Sequence, residues 1–406
     1  MNAHSMLRMA LRNLTRQRRR TLLVLAAIGL GIAAVVGVRG FLNGLQSALV
    51  LSFAEGTIGA VQVHKAGFLQ SVDAAPLTPN IDVTEDLLGA IASVEGVKAE
   101  APRLAFPAMV SIGDETTFAF VVGVDPAREL AACPRRQDLV VEGAWLAPGQ
   151  SLIGMELLRA LGGKAGSRAA LIGNDADGVM NAADTVVGGA LAAPTQGEKK
   201  LVLVPLATAQ ELVRLPGKAT EIAVRVEDLK RVDDVAARLR TKLGPAYEVH
   251  TWKQIAAFAK DVIETQNAAL AVITVIFLVV VMMGVANAML TSVLERVREI
   301  GTMMAVGARR RQILTMFVIE SALLGWGGAA LGVVVGSVVI GALGRHGVDL
   351  TTPGASVATH LVPFVELPFL ARMVALSVAG AALAALWPAW RASRLKPVDA
   401  LGGSGA

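Results

Sequence analysis

Four long stretches of the chain are apolar and carry no charged residue. They cover residues 21–38, 265–294, 321–344 and 373–390. A helix of about 20 such residues crosses the roughly 30 Å hydrocarbon layer of a bilayer. We therefore predict a membrane protein with four transmembrane α-helices.

Basic residues cluster beside some ends of these stretches and are sparse beside others. The clusters precede the first stretch (Arg8, Arg12, Arg16 and Arg18 to Arg20), separate the second from the third (Arg296, Arg298 and Arg309 to Arg311) and follow the fourth (Arg391, Arg394 and Lys396). Short segments rich in Arg and Lys stay on the cytoplasmic side. We therefore predict that both termini are cytoplasmic, in a bacterial inner membrane. The alternative for the N-terminus is a cleavable signal peptide, which the length of the first apolar run disfavours.

The segment before the first stretch predicts a helix on the inner membrane face. Leucines and arginines occupy separate stripes at helical spacing, with Leu7, Leu11 and Leu14 on one and Arg8, Arg12 and Arg16 on the other. Such amphipathic helices lie in the membrane interface. The alternative is a basic tail without fixed structure.

The large segment between the first two stretches has a different pattern. Short β-rich runs follow one another with turn residues between them: GAVQVH, FAFVVGV, AALI, TVVGGAL, LVLVPL, EIAVRV and YEVHTW. They alternate with helical stretches such as MELLRALGG and VDDVAARLRTKLG. This alternation is typical of an α+β domain. At both of its ends the helical pattern continues beyond the apolar run, which predicts helical stalks.

The predicted organisation follows from these patterns. It consists of a cytoplasmic amphipathic helix (1–20), a first span (21–43), a periplasmic α+β domain with helical stalks (44–264), a second span (265–294), a cytoplasmic connecting helix (295–311), a third span (312–344), a short periplasmic loop (345–372), a fourth span (373–390) and a cytoplasmic tail (391–406).

Composition argues against catalysis by this sequence. The chain is 54% hydrophobic, and its excess of basic over acidic residues gives a net charge of +5. Because the arginines flank the spans, we expect them to contact membrane lipid and not nucleic acid. Cys133 is the only cysteine, so an intramolecular disulfide is impossible. The fragment GGKAGS lacks the spacing of a P-loop, and HExxH, GxSxG and CxxC motifs are absent. We expect no enzyme activity, cofactor or metal on this chain.

The sequence GNDADGVMNAAD, residues 173–184, has a partial resemblance to a calcium-binding loop. Asp175, Asp177 and Gly178 match its third, fifth and sixth positions, but Gly173 and Asp184 do not suit its first and twelfth. The flanking residues are strand-like. We therefore predict a hairpin turn.

Small residues recur four apart in three of the spans. They are Gly29, Ala33 and Gly37 in the first, Gly284 and Ala288 in the second, and Gly328, Gly332 and Gly336 in the third. Such spacing allows helices to approach closely in a bundle or a dimer interface. The alternative is that glycine is simply common in membrane helices.

Glu320 is an acidic residue at the start of the third span. Acidic residues inside spans are often functional. The uncharged residues after it suffice to cross the bilayer, so we place Glu320 at the inner boundary. A structural role that ties the third span to a neighbour is favoured over a proton relay, because a relay needs a deep partner carboxylate or histidine.

The segment ERVREIGTMMAVGARRRQIL, residues 295–314, predicts a helix, a break and a second helix. Val297, Ile300 and Met304 share one face of the first helix, and Gly307 provides the stop. A short amphipathic helix at the cytoplasmic surface can contact a soluble partner. That partner would supply the chemistry that this sequence lacks.

Three segments together resemble one known family. VREIGTMMAVGARRRQILTMFVIE, WPAWRASRLKPVDAL and RNLTRQRRRTLL look like the signatures of FtsX-like ABC permeases, also called the MacB or type VII group. The resemblance covers the four spans and both ends. WPAW departs from the family's usual smaller, less aromatic form.

The resemblance implies a permease dimer, either homo- or heterodimeric, that is paired with a dimer of cytoplasmic ABC ATPases. ATP and Mg would be bound by those partner chains. The connecting segment would be the coupling helix, with six residues seated in the ATPase groove: Glu295, Glu299, Ile300, Gly301, Ala305 and Gly307. Such permeases are thought to convert ATP-driven closure into movement of the outer domain.

The loop GTIGAVQVHKAGF and the size of the outer domain look most similar to the lipoprotein-releasing, LolC/LolE-type permeases. A lipidated protein would then be the substrate and a periplasmic carrier or adaptor a further partner. Export of an amphipathic substrate remains open. The alternative from another class is an FtsX-like signalling or scaffold protein that activates a periplasmic cell-wall enzyme.

Overall fold

The computed structural model describes residues 8–10, 12–13, 16, 18–68, 77–193, 196–350 and 358–394. Leu7, Leu11 and Leu14 of the predicted N-terminal stripe lie outside these residues, as does Lys396 of the predicted tail. The chain forms two compact units. We call them the helical unit (Met1–Gln46, Ile263–Val348 and Leu361–Ala406) and the β-rich unit (Ser47–Val262 and Asp349–His360).

The helices and strands follow in chain order. Helix α1 (Arg18–Leu51) leads into a π-helical turn (Ser52–Thr57). Then come β1 (Val61–Lys65), β2 (Ile81–Asp82), α2 (Glu85–Ala92), β3 (Val97–Ile112), β4 (Glu115–Val124), α3 (Pro126–Ala132), a 3-10 helix (Pro134–Leu139), β5 (Val140–Gly143), β6 (Gln150–Gly154), α4 (Met155–Ala160), β7 (Arg168–Asn174) and β8 (Met180–Leu191).

The second half begins with a 3-10 helix (Gln196–Lys200). It continues with β9 (Leu201–Pro205), α5 (Leu206–Leu212), β10 (Lys218–Ala219), β11 (Glu221–Val226), a 3-10 turn (Leu229–Arg231), α6 (Val232–Leu243), β12 (Tyr247–Thr251), α7 (Trp252–Ile255), α8 (Ala257–Glu295), α9 (Val297–Ala305), α10 (Arg310–His346), β13 (Val348–Leu350), β14 (Thr359–Leu361) and α11 (Leu367–Ser393).

The prediction of four membrane-crossing helices is confirmed. Helices α1, α8, α10 and α11 are each long and apolar enough to cross a membrane. All four are longer than the predicted spans, and the largest extensions are at the end of α1, which continues to Leu51, and at the start of α8, which begins at Ala257. The helical pattern predicted before the second span is interrupted at Ala256, which separates α7 from α8.

The glycines of α10 bring this helix against α1. A Cβ atom placed on Gly332 would lie 2.5 Å from the carbonyl oxygen of Gly29, and one on Gly328 would lie 2.6 Å from Cβ of Ile28. Close helix contact of this kind requires small residues. Gly37 and Gly284 of the predicted seams are not part of this contact, since a Cβ atom on either would meet no atom of the described residues within 4 Å.

The β-rich unit is built on a ten-stranded sheet in which six strands close into a ring. Each of β3, β4, β9, β6, β8 and β7 pairs with the next, and β7 pairs back with β3. A closed ring has no free edge. Its core is apolar and includes Leu104, Phe106, Val121, Leu171 and Val202, each at most 1% exposed. Strands β11, β1 and β12 extend the sheet from β3.

All seven predicted β-rich runs form strands, and the α+β class is confirmed. The sequence GNDADGVMNAAD forms the predicted hairpin between β7 and β8, with Asn174 opposite Met180. One carboxylate oxygen of Asp175 accepts the backbone N–H groups of Asp177 and Val179, at 3.0 and 2.9 Å. Gly178 has a φ of +82°, a conformation that favours glycine.

Candidate functional site

Helix α9 is a short helix between two membrane-length ones. It ends where Gly307 adopts a φ of +98° and donates its N–H to the carbonyl oxygen of Met304, at 3.1 Å. Helix α10 then begins with a local cap, in which the backbone N–H of Arg309 donates to Oε1 of Gln312, at 2.9 Å. The predicted order of helix, break and helix is what the structure shows.

The two faces of α9 differ in burial. Ile300 is fully buried in the core of the helical unit, and Met303 and Met304 pack against that core. The opposite face leaves Arg298, Glu299 and Thr302 exposed, and the helix is followed by Val306, which is 85% exposed. An exposed apolar side chain at the end of an amphipathic helix is a candidate contact for a partner.

The six predicted coupling residues therefore lie in two different environments. Glu295, Glu299, Ala305 and Gly307 are exposed, as a groove-binding surface requires. Ile300 and Gly301 are buried against the helical unit and present no free surface. Their predicted position in a partner's groove does not match this burial, because seating there would require them to leave their own core. Val306 lies beyond the predicted set although its exposure makes it accessible.

Ion pairs join α9 to the N-terminal segment. Glu299 lies 2.8 Å from a terminal nitrogen of Arg16 and 3.0 Å from Nε of Arg296. Glu295 lies 3.6 Å from a terminal nitrogen of Arg20. The hydrogen bond from Arg296, together with that from Arg16, lowers the pKa of Glu299 from its ordinary value. Glu299 is therefore ionised at neutral pH.

Glu320 is buried at the inner end of α10, where its polar contacts include Arg296 and Asn13. Its Oε2 lies 3.7 Å from a terminal nitrogen of Arg296 and accepts a hydrogen bond from the side-chain amide of Asn13, at 3.4 Å. Arg296 thus bridges Glu299 and Glu320. Through these contacts Glu320 ties α10 to Arg296 and Asn13. This is the structural role that the sequence favoured over a proton relay.

Sequence reasoning missed the basic partners of these acids. Asn13, Arg16, Glu295, Arg296 and Glu299 together line a cavity of about 140 Å³. Two features of the sequence could have indicated these ion pairs. They are the stripe of arginines before α1 and the two glutamates, Glu295 at the end of α8 and Glu299 near the start of α9. Their pairing is a contact between residues far apart in sequence, which periodicity alone does not specify.

A second charged cluster lies buried in the β-rich unit. Arg103 donates from Nε and one terminal nitrogen to both oxygens of Glu129, at 2.9 and 2.7 Å. Its other terminal nitrogen donates to the carbonyl oxygens of Thr57 and Ile58, at 2.8 and 3.0 Å. Arg136 also donates to Glu129. Although burial opposes ionisation, Arg103 and Arg136 hold the pKa of Glu129 below its ordinary value.

The sequence is similar to two protein families. Residues 271–397 match the family described as FtsX-like permease C-terminal, and residues 21–242 match the MacB-like periplasmic core domain. The second match covers more than half of the 406 residues. The first includes most of α8 and the whole of α9, α10 and α11.

Two curated relatives illustrate the extent of the similarity. A macrolide export ATP-binding/permease protein MacB from Hyphomonas neptunium is 34% identical over 213 residues, which are 51% of this chain and 31% of that protein. A pyoverdine export ATP-binding/permease protein PvdT from Pseudomonas putida is 29% identical over 419 residues, 95% of this chain and 57% of that protein. The chain thus spans less than two thirds of the length of these relatives.

The solved periplasmic region of MacB from Actinobacillus actinomycetemcomitans aligns with 51% of this chain and 95% of its own length. Its TM-score is 0.36 at 9% sequence identity.

Proposed function

The chain belongs to the MacB-like family of FtsX-like ABC transporter permeases, and we propose that it is the permease subunit of an ABC exporter. A multi-pass protein of the inner membrane follows from this family and the four apolar helices. In the proposed mechanism, a cytoplasmic ABC ATPase binds ATP and Mg and contacts α9. Closure of the ATPase dimer then moves the β-rich unit, within a dimer of permeases.

The observation that carries this proposal is the position and exposure of α9. It connects two membrane-length helices, its inner face packs in the helical unit, its outer face carries Glu299 and Ala305, and the exposed, apolar Val306 follows it. A helix held firmly on one side and open on the other can receive a displacement and pass it to the helices at its two ends. The ion pair of Glu299 with Arg16 adds a connection to the N-terminal segment.

Small amphipathic molecules are the proposed substrates. The two relatives described above are named for export of macrolides and of pyoverdine, which supports small-molecule export over lipoprotein release. The two alternative functions are lipoprotein release and activation of a cell-wall enzyme. Purification with a lipoprotein carrier as the main partner would favour release, and purification with a periplasmic hydrolase would favour signalling.

The contact with the ATPase is tested by adding a charge to the exposed face. Val306→Asp places a carboxylate where the proposal requires an apolar contact, and Val179→Asp, at a 47% exposed position of the β7–β8 hairpin, is the matched control. We expect Val306→Asp to reduce co-purification of the ATPase by about tenfold or more, since a buried unpaired charge costs several kcal/mol. The Val179→Asp protein should retain the ATPase. Equal retention by both variants would contradict the proposal.

A further inference from the structure

A cavity of about 270 Å³ opens within the β-rich unit beside the buried arginines. Much of its wall is apolar, and the side chains that form it include Ile58, Phe68, Phe120, Val122, Leu201 and Ile255. Concave sites with mostly apolar walls and a few polar groups are typical of ligand pockets. The polar groups here decide which ligand the cavity suits.

Arg136 is the polar group with an unused donor. It lies on the wall of the cavity and is only 3% exposed. One terminal nitrogen donates to Glu129, but Nε is buried and has no hydrogen-bond partner among the residues that the structure describes. Leaving a buried donor without a hydrogen bond is unfavourable, and more so when the group is charged.

Arg103 is already paired with Glu129 and Glu221. Every nitrogen of Arg103 donates a hydrogen bond, to Glu129, to Glu221 or to backbone oxygens. Glu221 also accepts from the side-chain amide of Gln62, at 3.3 Å. Glu198 also lines the cavity, so two arginines and three carboxylates lie at or beside this wall, and the unsatisfied atom is the Nε donor of Arg136. A ligand that completes this set must bring an acceptor oxygen.

We propose that this cavity binds a small apolar molecule that bears a carboxylate, with Arg136 as the residue that holds the carboxylate. A guanidinium edge forms short, charge-assisted hydrogen bonds with carboxylate oxygens. The apolar body of the ligand lies against Ile58, Phe120 and Ile255. Ile58 follows the π-helical turn at the end of α1 and Ile255 precedes α8, so a bound ligand touches both segments that lead into these long helices. The inference does not rest on the proposed function.

Photolabelling of the full chain locates the bound ligand even though the ligand also partitions into the lipid. The protein is reconstituted in phosphatidylcholine nanodiscs with a ten-carbon carboxylic acid that carries a terminal diazirine. Labelled peptides are then identified by mass spectrometry. We expect label on the strand that contains Phe120 and on the segment that contains Ile255. Excess decanoate should remove this label at concentrations about tenfold or more below those of decanol, because decanol lacks the charge that Arg136 pairs with.

Two substitutions, Ala105→Phe and Arg136→Lys, test the site while keeping a positive charge beside Glu129, and Ala237→Phe is the control. Ala105→Phe fills the cavity from β3, and Ala237→Phe makes the same change at an exposed position of α6. Only Ala105→Phe should abolish the label. Arg136→Lys keeps a positive charge near Glu129 but lacks Nε, so it should remove most of the preference for decanoate over decanol. In each variant, protection of the buried Cys133 thiol from maleimide reports that the unit is folded.

Three results would overturn the proposal. The first is label confined to the membrane-length helices. The second is equal label in the folded Ala105→Phe and Ala237→Phe proteins. The third is competition by decanol as effective as that by decanoate. None of these depends on ATPase binding, so they leave the test at Val306 unaffected.

Discussion

At the scale of single residues, Arg103 joins several parts of the β-rich unit. It lies in β3 and is bonded to Glu129 of α3, Glu221 of β11 and the backbone that follows the π-helical turn. Breaking a buried ion pair by removing one partner costs about 3–5 kcal/mol, because the other charge stays buried. The exposed pairs of Arg16 and Glu299 contribute far less.

This difference predicts the effects of two methionine substitutions. Arg103→Met should lower the free energy of unfolding of the β-rich unit by about 3–5 kcal/mol. Arg128→Met should lower it by about 1 kcal/mol or less, because Arg128 is 36% exposed and pairs with Glu85 and Glu100 near the surface. The rate at which Cys133 reacts with maleimide in increasing urea measures both. Similar losses of unfolding free energy in the two variants would show that the buried ion pairs of Arg103 stabilise the unit no more than the exposed pairs of Arg128.

The thiol of Cys133 provides a prediction about pH. Burial raises the pKa of this thiol from 9.0 to about 11, because burial disfavours the charged thiolate. At pH 9 an ordinary thiol is about half ionised, whereas this one is ionised to about one part in a hundred. Since the folded pKa is raised, the contribution to stability is present below pH 9 and is lost as the pH rises towards about 11.

We therefore expect Cys133 in the folded protein to be almost unreactive with maleimide at pH 7 to 9 and to react fully after denaturation. Unfolding midpoints in urea should also fall between pH 9 and 11, and Cys133→Ala should reduce that fall. Rapid labelling of the native protein at pH 7 would contradict the burial of this thiol.

At the scale of helices and strands, the contact between α1 and α10 depends on glycine. Gly332→Val would place side-chain atoms against Gly29 and Ile32, where a Cβ atom alone already lies within 2.8 Å of each. Gly341→Val makes the same change in α10 where a Cβ atom meets nothing within 4 Å. Overpacking typically costs about 1–3 kcal/mol. We expect a lower thermal midpoint in detergent for Gly332→Val and an unchanged one for Gly341→Val. Equal midpoints would show that α1 and α10 do not pack closely.

Elements with a clear local pattern were predictable from the sequence, and β3 was not. This strand contains Pro102 and Pro107, which normally exclude a segment from the interior of a sheet. Pro102 pairs only with β11 and Pro107 only with β4, so each lies where β3 has a neighbour on one side alone. That arrangement depends on where the neighbouring strands end, which is tertiary information.

At the candidate site, too, the local pattern was predictable from the sequence and the tertiary contacts were not. Apolar periodicity and Gly307 were enough to predict α9 and its end. They placed Ile300 on the apolar face but did not show whether that face contacts the protein's own core or a partner. The buried pairs of Arg103 with Glu129 and Glu221 were missed because their members are far apart in the sequence.

At the scale of the whole molecule, charge and hydropathy divide the chain into a helical unit and a β-rich unit. One family match, residues 21–242, includes most of α1 and most of the β-rich unit, and the other, residues 271–397, includes most of the remaining helical unit. The account of function requires that α9 and the β7–β8 hairpin lie on opposite sides of the membrane. Force applied by an ATPase could not otherwise enter at one unit and move the other.

Thiol labelling in cells measures this arrangement. In a Cys133→Ala background, single cysteines are introduced as Val306→Cys and Val179→Cys, both at exposed positions. Cells with a permeabilised outer membrane are then treated with a maleimide that cannot cross the inner membrane. We predict that Val179→Cys is labelled in intact cells and that Val306→Cys is labelled only after the inner membrane is broken. Labelling of Val306→Cys in intact cells would place α9 outside and contradict ATPase coupling through it.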